Sequence, residues 1–92
     1  MPSLAEAEKA FLESTVKQAC SFHKKNKSQF SKVLPVTSSD GSTIDKKQIK
    51  EIRSHIDDWK AKRLDSRAAI SLVCSPLMEV REALIRADLL IE

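Results

Sequence analysis

Between Thr43 and Leu64 the apolar residues Ile49, Ile52, Ile56 and Trp59 recur three or four apart among polar neighbours. That spacing lines one face of an α-helix. Its start is written locally, with Asp45 as N-cap, Gln48 as capping-box partner and Ile44 placed to staple onto Ile49. A second capping box, Ser3 with Glu6, predicts a helix from Leu4 to about Phe22 or Lys24. Its inward face reads Leu4, Ala7, Phe11, Thr15, Ala19 and Phe22, widened by Leu12, Val16 and Cys20. Glu6 and Glu8 at its start and His23, Lys24 and Lys25 at its end match the helix dipole. The stretch between the two helices is too long for a structureless loop. A short helix capped by Ser28 is expected there, with Phe30, Val33 and Leu34 as its apolar patch and Pro35 as its stop. Val36 to Ser42 then form a loop turning at Asp40-Gly41.

Beyond Leu64, Asp65 or Ser66 can cap a third major helix containing Ala68, Ala69, Ile70, Leu72 and Val73. Ser75-Pro76 is expected to close it, because proline is costly inside a helix and well suited to the first position of a new one. The last helix then runs from Leu77 through Val80, Leu84 and Ala87 to Ile91. Met78, Ile85, Leu89 and Leu90 add apolar residues off its main stripe. The pattern thus predicts an all-α fold, a compact four- to five-helix domain, bundle-like or orthogonal, around the central amphipathic helix. Trp59, Ile52 and Ile56 are expected to be buried, with Phe11 packed near them. Residues 1–92 read as a single domain, and a helical pattern that runs up to Ile91-Glu92 suggests the N-terminal domain of a longer protein.

Composition supports the helices: there is one Gly, aromatic residues are few, and Ala, Leu, Lys, Glu and Gln abound. Glu6, Glu8 and Lys9 interrupt any secretory signal, and Arg67, Glu79, Arg81, Arg86 and Asp88 break every apolar run short of spanning length. The expected location is cytoplasmic or nuclear, without membrane contact, and Cys20 and Cys74 are expected as reduced, buried thiols. The net charge of +3 is unevenly spread. From His23 to Arg53, Lys24, Lys25, Lys27, Lys32, Lys46, Lys47, Lys50 and Arg53 face only Asp40, Asp45 and Glu51, so the flanks are slightly acidic.

That basic middle changes the functional picture. Lys46, Lys47 and Lys50 stand in the first turns of a helix, where the dipole disfavours cations. Together with Lys24, Lys25, Lys27 and Arg53 they form a candidate polyanion or nucleic-acid contact. Met78, Ile85 and Leu89, the surplus on the last helix, are the candidate protein interface. Cys20, His23, His55 and Cys74 could supply zinc ligands only as one close pair and two distant residues, so no metal site is expected. No catalytic residues or cofactor motif emerge, and Asp57-Asp58 reads as a solvated pair. Residues 64–92 have the outline of a helix-turn-helix. In it, Val80-Arg81-Glu82-Ala83-Leu84 and Leu90-Ile91-Glu92 are similar to the recognition helix of GntR-type winged-helix repressors, though Cys74-Ser75-Pro76 replaces that family's turn glycine. The expected function is a non-enzymatic binding module for protein–protein interaction, assembly or self-association. The alternative is a nucleic-acid-binding domain using the basic surface.

Overall fold

The computed structural model describes residues 3–92. Both capping boxes form. Helix α1 spans Leu4–Asn26, with the Ser3 hydroxyl accepting the Glu6 N–H and the Glu6 carboxylate accepting the Ser3 N–H. Helix α2 spans Lys46–Lys60, with Asp45 accepting from the Lys47 and Gln48 N–H groups while Gln48 accepts from Asp45. Ile44 and Ile49 join the same apolar cluster, completing the staple.

Between them the chain is more ordered than expected. Lys27–Lys32 form a 3-10 helix that buries Phe30, and no side chain caps it, so Ser28 does not play that part. The expected loop is a small hairpin in which β1 (Val36–Thr37) pairs antiparallel with β2 (Thr43–Ile44). Val36 and Ile44 face each other across it and are both buried, which gives so short a ladder its reason to form. Asp40 organises the turn: one carboxylate oxygen accepts the Ser42 hydroxyl, the Ser42 N–H and the Ser38 hydroxyl. These donors hold its carboxyl down to about 2. Gly41 follows at φ +88°, a left-handed conformation that favours glycine.

The third helix, α3, covers residues 66–86 as α-helix over Ser66–Ala69, a π-helical turn over Ile70–Cys74, and α-helix again over Ser75–Arg86. Asp65 is its N-cap and accepts the Ala68 N–H, whereas the Ser66 hydroxyl accepts the Trp59 indole N–H at 3.0 Å and ties α2 to α3. Here the expectation fails. Ser75-Pro76 does not separate two helices, because the π turn widens the backbone just before the proline and the Ser75 N–H reaches back to Ile70. Among the described residues there are therefore three α-helices, beside the short 3-10 helix, and the expected four to five helices are not matched. Residues 64–92 contain no inter-helix turn, and the likeness to a helix-turn-helix, including the GntR-type recognition helix, is lost with it.

Helices α2 and α3 end alike. Lys62 and Asp88 take positive φ (62° and 58°), and each ending shows the paired bonds of a Schellman motif. These are Lys62 to Trp59 with Arg63 to Asp58, and Asp88 to Ile85 with Leu89 to Leu84. The last helix thus stops at Arg86, short of the expected Ile91, and Leu89 and Leu90 fold back to pack on the core. Asn26, 1% exposed, clamps the returning segment: its side-chain NH2 donates to the carbonyls of Phe22 and Ile91, and its oxygen accepts the Ile91 N–H at 2.7 Å.

The main core gathers Phe30, Val36, Ile44, Ile52 and Ile56 around Val73, Leu77, Val80 and Leu84. The centre is therefore α3 and not α2. A second cluster joins Val16, Ala69 and Cys74 to half-buried Trp59 and Leu64. Ile52 and Ile56 are buried as expected, but Trp59 only partly, and Phe11 is 69% exposed instead of packed near them.

Two outcomes are expected from denaturant unfolding. Lys62→Gly should stabilise by roughly 0.5–1 kcal/mol, the left-handed cost to a side chain exceeding the entropy cost of glycine, and Asp88→Gly by less, since Asp enters that region more readily. Asn26→Ala should destabilise by roughly 1–3 kcal/mol through three lost hydrogen bonds. An unchanged midpoint for Asn26→Ala would mean that the returning segment contributes nothing to stability.

Candidate functional site

The basic residues are only partly brought together. Lys46, Lys50 and Arg53 share the outward face of α2 with Ile49, at positions one and two turns apart. Facing them are His23 from α1 and Lys27 and Ser31 from the 3-10 helix, with Phe30, Leu34 and Ile49 as an apolar floor. The resulting pocket has a volume of about 260 Å³. Lys24 and Lys47 are exposed and do not line it, and Lys25 borders a different cavity beside Asn26 and Ile91. Of the seven cations expected at a polyanion contact, four converge and three do not.

These four cations have no carboxylate partner among the described residues. Among the described residues the ion pairs are Arg63 with Asp58 and Arg67 with Glu8, both elsewhere. Two of them, Lys27 and Arg53, act on His23, whose ring packs edge-on against Phe30 at 5.7 Å. Burial pushes its pKa below the ordinary value, and Lys27, Arg53 and Lys60 push further down, against a smaller opposing effect of Asp57. The floor is packed into the core at Phe30, which is 3% exposed and also meets the Phe22 ring at 5.9 Å.

The apolar candidates separate as well. Met78 is 63% exposed and lines a groove of about 350 Å³ between α1 and α3, with Thr15, Gln18, Ala19, Phe22, Cys74, Leu77 and Arg81. Ile85 borders a neighbouring hollow with Arg81, Asp88 and Leu90. Leu89 is not part of that surface, since it is packed inward by the Schellman turn. Sequence reasoning missed the pocket floor and the groove. The spacing of Lys46, Lys50 and Arg53, and of His23 with Lys27, carried the signal for the first.

Cys20 and Cys74 are free thiols whose pKa values burial raises; Cys74 is buried as expected, whereas Cys20 is only half-buried. Among the described residues no three His, Cys, Asp or Glu side chains are grouped to hold a metal ion, so Cys20, His23, His55 and Cys74 do not converge as ligands. No described helix is long and apolar enough to cross a membrane. No protein-family model, curated protein or solved structure matches the chain.

The lowered pKa of His23 gives a pH prediction. Its unfolded form takes up a proton near pH 6.5 while the folded form resists, so stability should fall as pH drops below about 6.5. Urea midpoints measured across that range should decline for the wild type and decline less for His23→Gln. Equal slopes would place His23 outside the cationic field.

Proposed function

We propose that the protein is a non-enzymatic binding module whose His23–Arg53 pocket captures an acidic segment of a partner protein. Such a segment would place one apolar side chain on the floor and carboxylates or phosphates against the rim. The observation that carries the reading is the combination of an apolar floor with Lys27, Lys46, Lys50 and Arg53, all free of acidic partners. A pocket near the lower end of the size range for ligand clefts suits one anchoring side chain. Rim charges of this kind speed encounter and choose partners more than they add affinity.

Nucleic acid is the less favoured ligand. Phe30 is too buried to offer its ring face to a base, and Lys24, Lys25 and Lys47 do not extend the pocket into a track for successive phosphates. Fluorescence anisotropy with a Glu-rich peptide carrying one central Leu decides between them. Lys46→Gln/Lys50→Gln/Arg53→Gln should weaken peptide binding by about tenfold or more, and Lys24→Gln/Lys25→Gln/Lys47→Gln should change it little. Binding should tighten as pH falls from about 7.5 to about 5.5, because a bound anion raises the pKa of His23 and draws in a proton. Replacing the Leu by Gly should weaken the peptide. A labelled DNA duplex that binds more tightly than the peptide at about 150 mM salt, and is weakened equally by both triple variants, would overturn this reading in favour of the nucleic-acid one.

A further inference from the structure

A cavity of about 820 Å³ lies between α1 and the turn that joins α2 to α3, apart from both the cationic pocket and the apolar groove. Trp59 and Leu64 form its apolar wall. Trp59 packs on the cluster of Val16, Ala69 and Cys74 but is only half-buried, and the Ser66 hydroxyl holds its indole N–H at 3.0 Å, so the ring is fixed while part of it borders the cavity. Lys60, Lys62 and Arg63 stand beside it at the end of α2, and Lys9 faces them from α1. Arg63 is paired with Asp58, whereas Lys9, Lys60 and Lys62 have no carboxylate partner among the described residues. Glu13, one turn from Lys9, is half-buried and not paired with it.

We infer that this cavity binds a nucleoside phosphate, the base lying against Trp59, the phosphates against Lys9, Lys60 and Lys62, and the sugar hydroxyls donating to Glu13. Size separates it from the site proposed above. The cavity has about three times the volume of the cationic pocket and falls in the upper part of the range of small-molecule clefts, where a whole nucleotide fits rather than one side chain. The mixture of groups narrows the ligand further. An acidic peptide would meet the carboxylates of Glu13 and Asp65, and a bare polyanion would make no use of the indole. A nucleoside phosphate carries a flat π-face, hydroxyl donors and a multiple negative charge in one molecule, and an aromatic side chain stacks on any base. The α2 dipole attracts cations to its C-terminal end, which accounts for Lys60 and Lys62 but not for Lys9 on the facing helix or for the uncovered part of Trp59.

Trp59 is the one tryptophan of a chain without tyrosine, so intrinsic fluorescence reports on this cavity directly. Titration with ATP should quench it to saturation, and calorimetry should give the same affinity. Adenosine and tripolyphosphate, each carrying half of the ligand, should bind roughly tenfold or more weakly than ATP. Lys60→Gln/Lys62→Gln should weaken ATP by about tenfold with an unchanged urea midpoint, since both side chains are exposed. Lys62→Gly, expected above to stabilise the fold, should weaken ATP as well, so that stability and binding move in opposite directions. The Lys46→Gln/Lys50→Gln/Arg53→Gln variant should leave ATP binding unchanged, because its residues line the other pocket. Fluorescence that does not saturate, tripolyphosphate that binds as tightly as ATP, or an ATP affinity that the Lys60→Gln/Lys62→Gln change leaves intact overturns the inference. A single-stranded oligonucleotide that binds more tightly than ATP overturns it in favour of a nucleic-acid strand.

Discussion

Pro76 has no N–H to give a helix, and its ring crowds the carbonyl four residues back, yet the backbone passes helically through it. The π turn over Ile70–Cys74 makes that possible by opening the spiral by one residue before the proline arrives. The Ile70 carbonyl is not left idle, since it accepts both the Ser75 N–H and the Ser75 hydroxyl. The same widening aligns the core. Ala69, Val73 and Leu77 are four apart, a spacing that drifts off a 3.6-residue stripe and stays in line across a wider turn. Because of it, the buried row from Ala69 to Leu84 is continuous, and α1, α2 and the hairpin can all pack on one rod.

The pocket is a consequence of that arrangement. Helix α2 lays Ile52 and Ile56 on α3, which turns Lys46, Lys50 and Arg53 to the other side. There the 3-10 helix brings Phe30, and the residues just after it Leu34, beneath them. Cations in the first turns of a helix oppose its dipole by tenths of a kcal/mol each. The Asp45 carboxylate at the N-cap supplies the opposite charge at the same end and offsets part of this cost.

Much of the local structure was legible in the sequence, because it depends on neighbours. Both capping boxes, the staple, the Asp40-Gly41 turn and the burial of Ile52 and Ile56 follow from short-range chemistry. What failed depended on alternatives that look the same locally. Pro76 after Ser75 reads as the start of a helix, and only the π turn shows it to be an interior residue. Helix ends are commonly marked by glycine, but here Lys62 and Asp88 take the left-handed position, so the true end at Arg86 left no mark. Periodicity tells which side of α1 is apolar and not how much of it is covered, so Phe11 read like Phe22. The site was half legible for the same reason: the cations were visible, but which of them converge depends on how the 3-10 helix folds beneath α2.

Neighbouring residues of α1 serve two surfaces. Phe22 lines the groove and His23 the cationic pocket, about 100° apart around the helix axis. Asn26, one turn on, holds the returning segment against the same stretch. Because the two concavities are separate, occupying one leaves the other open. The rim cations of the pocket are exposed, so a contact made through them weakens as salt rises, whereas an apolar contact in the groove does not. Pocket and groove are therefore distinguishable by their dependence on ionic strength.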